Sequence, residues 1–166
     1  MLRALDCATV LDAGCGEGFI MQRLRESLPD RQFTGVDLRD EAVEWARGLN
    51  PDCELRVGSV YSLPFPAEAF DATVCLEVLE HLDAPERALD EIARVTRRYL
   101  LVSTPWEPYF SLGNLLRLRN VRLRGRDPEH MNFWDKAEIL RLIGSRLTIC
   151  DCAVSLPWVI VLAAKR

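Results

Sequence analysis

The chain is poor in the features that would direct it to nucleic acid, a membrane or the cell exterior. Lysine occurs only at Lys136 and Lys165, and 25 acidic residues outnumber 21 basic ones, a formal net charge of −4. An acidic chain gains little from a phosphate backbone, so no nucleic-acid partner is expected. No apolar run approaches the roughly 18 residues that a membrane span requires. No basic leader with an apolar core opens the sequence. The expectation is a cytoplasmic protein without stable membrane insertion. The cysteines Cys7, Cys15, Cys53, Cys75, Cys150 and Cys152 include no Cys-x-x-Cys pair, and most fall in strand-like runs or at a glycine turn. Buried free thiols are therefore expected, with no disulfide and no metal site. Histidine is nearly absent too, limited to His81 and His130.

What remains is an ordinary globular composition, and 166 residues suit one domain covering the whole chain. Short apolar runs alternate with helix patterns. Strands are expected near Thr9–Asp12, Gln32–Val36, Cys53–Val57, Phe70–Leu76 and Tyr99–Ser103. Between them lie helices, the first with Ile20, Leu24 and Leu28 inward and the second capped by Asp40 with Ala42, Val43 and Ala46 inward. Asp83 and Glu86 have capping-box spacing before a third, with Ala88, Leu89, Ile92 and Val95 inward. Asp135 can cap a last helix carrying Ile139, Leu140 and Ile143. Strand–helix repetition with short loops implies a parallel sheet with right-handed crossovers. The final runs, Leu147–Ala153 and Trp158–Ala163, are too close for a helical crossover and imply an antiparallel hairpin. The expected fold is α/β: a Rossmann-like, doubly wound seven-stranded sheet, five strands parallel plus the hairpin.

The stretch around which the rest is organised is Val10-Leu11-Asp12-Ala13-Gly14-Cys15-Gly16-Glu17-Gly18-Phe19. A buried strand runs into glycines spaced two apart, which allow a tight turn and close approach of a ligand. A dinucleotide fingerprint wants Gly-x-Gly-x-x-Gly, but Phe19 stands where its third glycine belongs. Asp37 ends the second strand, 23 residues after Gly14, where an acid can accept from both hydroxyls of a ribose.

The Asp-x-Gly-x-Gly-x-Gly stretch resembles the first motif of class I S-adenosylmethionine (SAM) dependent methyltransferases. The stretches Gly58 to Phe65 and Ala69 to Leu82 are similar to the middle of methyltransferases of the ubiquinone and menaquinone type. The resemblance covers about Ala8 to Ser103. It implies SAM as cofactor, with Asp12 and the Gly14 and Gly16 backbone around its methionine part, Asp37 on the ribose and Leu38 against the adenine. Ser59 and Val60 would reach the adenine edge, and Leu76 would lie beside the cofactor. The family usually carries an acid where Ser59 stands; a serine hydroxyl can still accept from the adenine amine. His81 follows the fourth strand, and His130 lies in a His-plus-aromatic segment of the kind that closes over such sites. Each is a candidate general base or positioning group, unless the His81 ring simply packs its loop.

An insertion at about 105–134 separates the fifth strand from the last helix. From Pro108 to Arg126 it has no acid, while Arg117, Arg119, Arg122, Arg124 and Arg126 alternate with apolar residues. Either the arginines are solvated over an amphipathic cover, or they form a lid and acceptor site for an anionic, lipid- or glycan-linked small molecule. Only Met1 to Cys7 precede the first strand, where the family usually has covering helical residues. The lid is then the insertion alone, or a homo-oligomer or another partner supplies it, or the chain is shortened. The expected activity is methyl transfer to a small-molecule acceptor. The rivals are a non-catalytic SAM-binding or partner-regulating subunit and a nicotinamide-dependent oxidoreductase.

Overall fold

A computed structural model describes residues 1–165. Its sheet contains β1 (Thr9–Ala13), β2 (Gln32–Asp37), β3 (Glu54–Val57), β4 (Phe70–Leu76), β5 (Thr96–Pro105), β6 (Thr148–Ser155) and β7 (Trp158–Ala164). They lie in the order β3-β2-β1-β4-β5-β7-β6. The pairings from β3 to β5 are parallel, and β7 runs antiparallel to both β5 and β6. The chain leaves β1 toward β2 and β3, then crosses back over β1 to begin β4. That reversal opens a crevice at the C-terminal ends of β1 and β4, where α/β sheets bind ligands.

Helices α1 (Phe19–Ser27), α2 (Asp40–Leu49), α3 (Pro85–Val95), α4 (Tyr109–Leu116) and α5 (Lys136–Gly144) complete the fold. One core cluster joins α3 and α5 to the sheet, and the other joins α1 and α2 to it. In α3, Ala88, Leu89, Ile92 and Val95 are fully buried. Burying a leucine- or valine-sized side chain contributes about 1.5–3 kcal/mol, so this face alone anchors the helix. The Asp135 cap is present as a complete capping box with Glu138.

Four local expectations are corrected. Asp40 is the first residue of α2 and makes no cap; the main-chain N–H of Arg39 is instead met by Asp37 Oδ1 at 3.0 Å. Asp83 does not cap α3, because its carboxylate accepts from the Tyr61 hydroxyl. In α1 the buried face is set by Met21, with Leu24 and Leu28 packed beside it, while Ile20 is 49% exposed. Helical spacing admits either face, and Ile20 lines the ligand crevice instead. All six cysteines are free, but Cys53 and Cys152 are only half-buried and Cys150 on edge strand β6 is exposed. Among the described residues no helix is long and apolar enough to cross a membrane.

Candidate active site

The glycine turn is locked to β2 by its main chain. The Gly14 and Cys15 N–H groups both donate to the Val36 carbonyl, at 2.7 and 3.0 Å. The Gly16 N–H donates to Asp37 Oδ2 at 2.8 Å. Gly14 and Gly16 have φ of +85° and +52°, where an L side chain is strained. A Cβ on Gly14 would meet the Val78 side chain at 2.3 Å, whereas beside Gly16 only the tip of Arg39 comes within 4.0 Å. The Gly16 face is thus clear for a ligand, while Gly14 lets the turn pack on the loop after β4. Gly18 packs against Ala46 of α2 and Asn50 just after it, so the third glycine serves helix packing.

Sheet order sets the other candidates in a row. Ser59 and Val60 follow β3, Asp37 and Leu38 end β2, the glycines end β1, and Leu76 ends β4. Asp37 uses one oxygen on Gly16 and the other on Arg39, which leaves acceptor capacity on both. Leu38 is 71% exposed with nothing covering it. The Ser59 hydroxyl already accepts from the Tyr61 N–H at 3.2 Å, and the Val60 side chain turns into the core. Only the main chain of Val60 is left to meet a ligand.

Asp12 stands apart. It is buried, does not line the crevice, and its Oδ2 has no partner. Burial, and secondarily the Asp37 carboxylate, push its carboxyl up to about 7. An unfolded aspartate titrates near ~3.9, so between those values the folded chain holds a proton that the unfolded chain releases. This contribution to stability is complete below the unfolded value and lost as pH rises through the folded one. Asp12→Asn should therefore gain melting temperature relative to wild type as pH goes from 5 to 8.5, reaching several degrees. Melting curves with a pH-independent difference would contradict this.

Beyond the glycines, a crevice of about 510 Å³ is walled by the turn, Leu76, Glu77, Ser103, Ser155 and Trp158. Glu77 was not singled out from the sequence, yet it is tightly held there. Its φ is +57°, a conformation costing about 1–2 kcal/mol. It accepts from the Ser103 hydroxyl and from Trp158 Nε1, both at 2.6 Å. Desolvation outweighs those bonds and raises its pKa. The available signal was positional: an acid just past a strand end, as at Asp37.

His81 and His130 meet edge-on with ring centroids 4.9 Å apart. Burial, then the neighbouring His81, lower the pKa of His130, which favours its neutral form. In the insertion, α4 and the following turns border an open cavity of about 910 Å³ lined by Tyr109, Arg117, Arg119, Asp127, Glu129 and Trp158. A second, of about 740 Å³, is lined by Arg122, Arg124, Arg126, His130 and Phe133. Eight arginines elsewhere form ion pairs. Among the described residues the side chains of Arg117, Arg119, Arg122 and Arg124 have no acidic partner, and Arg126 stacks 4.7 Å over the Phe133 ring. The intervening Leu116, Leu118, Val121 and Leu123 are exposed, so the segment is no buried amphipathic cover.

This combination of sheet order, glycine turn and strand-end acid defines a nucleoside-cofactor α/β fold, and comparison with known proteins narrows it. The sequence matches the family described as "Methyltransferase domain" over residues 11–99. A probable S-adenosylmethionine-dependent methyltransferase of Mycolicibacterium smegmatis is 31% identical over 137 residues, 81% of this chain and 51% of that protein. A ubiquinone biosynthesis O-methyltransferase of Azoarcus is 31% identical over 94 residues, 53% of this chain and 39% of that protein. Among solved structures, a SAM-dependent methyltransferase of Thermotoga maritima, a possible histamine N-methyltransferase, superposes with a TM-score of 0.76 at 19% identity, covering 99% of this chain and 86% of that one. The chain belongs to the methyltransferase-domain family of SAM-dependent enzymes, and SAM is the cofactor of that family. It spans between about a third and a half of the length of the curated relatives first matched, which run from 36% to 51% covered. The open face of Gly16, the spare acceptor capacity of Asp37 and the uncovered Leu38 suit that cofactor.

Proposed function

We propose that this chain catalyses methyl transfer from SAM to an anionic small-molecule acceptor held beneath the 105–134 insertion. Asp37 accepts from the ribose hydroxyls, Leu38 covers the adenine, and the Ser59 hydroxyl and Val60 main chain meet its edge. The Gly14 and Gly16 backbone borders the methionine part, with Asp12 behind it, and Leu76 lies beside the reacting end. When bound, SAM supplies a methyl carbon already activated by its sulfonium. The chain's own tasks are therefore to hold the acceptor in line, keep water out and manage a proton. His81 and His130 are the groups for the last of these, as proton acceptors or as positioning residues.

The observation that carries the acceptor assignment is Trp158, which lines both the crevice beside the glycine turn and the 910 Å³ cavity under α4. An acceptor in that cavity has an adjoining route to the cofactor; the unpaired Arg117 and Arg119 line the cavity, and Arg122 and Arg124 line the neighbouring one. Replacing Arg117, Arg119, Arg122 and Arg124 by glutamine should leave SAM affinity unchanged. Acceptor KM should rise at least ~10-fold with kcat nearly constant, since uniform binding has been removed. Wild-type KM should also rise with salt. Steady-state kinetics that match in the two proteins at low and high salt would refute the acceptor role.

A further inference from the structure

We propose that Glu80, His81 and His130 form a site for one first-row divalent cation, a site for which cysteine and histidine spacing gave no signal. Each offers one ligand atom, and the three atoms lie within 4.8 Å of one another. An ion about 2.1 Å from each ligand requires separations no greater than roughly 4.2 Å. The cluster therefore needs to close by less than an ångström.

Glu80 is the strongest reason. It is 1% exposed, and neither carboxylate oxygen has a hydrogen-bond partner. A buried, unpartnered carboxylate is costly, and protonating it leaves an O–H with nothing to donate to. A cation would supply the partner that this carboxylate lacks. One ring nitrogen of His81 is already engaged, which leaves the other as its ligand atom. Its Nδ1 lies 3.0 Å from the Glu129 carbonyl oxygen, which only accepts, so Nδ1 carries the proton and Nε2 presents a lone pair. Metal-bound histidines are held by this kind of outer bond. His130 is held between Phe110 and Phe133, with centroids at 5.3 and 6.2 Å.

The two halves of the site come from separate segments that are stapled together. The Met131 and Asn132 N–H groups donate to the Glu80 carbonyl at 2.8 and 3.0 Å. The Asn132 side-chain amide donates to the Leu79 and Leu82 carbonyls at 3.3 and 2.6 Å. These four bonds fix the His130 segment on the turn carrying Glu80 and His81. Two imidazoles and one carboxylate suit zinc, manganese, iron(II) or cobalt, whereas calcium and magnesium prefer oxygen donors. Three protein ligands leave coordination positions open, and His130 borders the 740 Å³ cavity through which another ligand can enter. An ion here gives the two histidines the positioning role, with an acceptor heteroatom as the added ligand. That last step rests on the methyl-transfer reading; the metal site itself does not.

The test titrates MnCl2 into EDTA-treated protein without SAM, following heat and melting temperature. The wild type should bind one ion per chain and melt several degrees higher. Glu80→Gln, His81→Gln and His130→Gln should each weaken binding at least ~10-fold, and a cobalt(II) visible band should vanish in the same variants. Absence of both heat and melting shift in the wild type would overturn the site, whether or not the variants fold. Undiminished binding in Glu80→Gln and His130→Gln would overturn it equally, placing the ion elsewhere. SAM titrated separately into the same proteins tests the methyl-transfer reading independently.

Discussion

Gly16→Val should abolish detectable SAM binding while leaving the circular dichroism spectrum of the folded chain in place. Gly16 sits at φ +52° with open space where a side chain would go. A valine there carries a conformational cost of about 1–2 kcal/mol, which a domain of ordinary stability survives. Its two methyl groups would occupy the face along which a ligand approaches the turn. The Gly16 N–H that donates to Asp37 would also be displaced with the strained backbone. A loss of about 3 kcal/mol in binding corresponds to more than ~100-fold in Kd. Retained affinity in a calorimetric titration would make the turn purely structural. Gly14→Val is a different experiment. Its Cβ would collide with Val78, so it should lower the melting temperature as well as binding.

Asp37→Ala has the second-largest expected effect. The carboxylate does two things at once: it fixes Gly16 and Arg39 through their N–H groups, and it keeps acceptor capacity for a ribose. Hydrogen bonds to a charged group contribute about 1.5–3 kcal/mol, so SAM affinity should fall roughly 10- to 150-fold. The fold should persist, since β2 keeps its pairing with β1 and β3 through the main chain. The loss should exceed that in Ser59→Ala, whose hydroxyl is already engaged by the Tyr61 N–H. Equal affinities in wild type and Asp37→Ala would remove the ribose assignment.

The sheet was readable because most of its parallel strands are short apolar runs ending in a polar or glycine signal, because β3 alternates apolar with polar residues, and the hairpin because its link is too short for a crossover. Asp37 was readable for the same reason: it ends a strand at a fixed distance from a glycine turn. Caps were less legible. Asp40 and Asp83 have the right residue type and spacing, but tertiary partners claimed the groups involved, Arg39 N–H by Asp37 and the Asp83 carboxylate by Tyr61. Ile20 had the period of a core residue and faces the crevice, because a helix at a ligand site shares its apolar stripe between core and cleft. The Glu80, His81 and His130 cluster was illegible for a simpler reason. Its members come together only through the folding of the insertion onto the turn after β4, and nothing in linear spacing encodes that contact.

Parallel calorimetric titration of SAM and NAD into the wild-type protein decides between the two cofactors. The glycine spacing and the row formed by Ser59, Asp37, Gly16 and Leu76 predict saturable one-to-one binding of SAM and no measurable binding of NAD. Binding of NAD with comparable affinity, or no heat with SAM, would contradict that expectation.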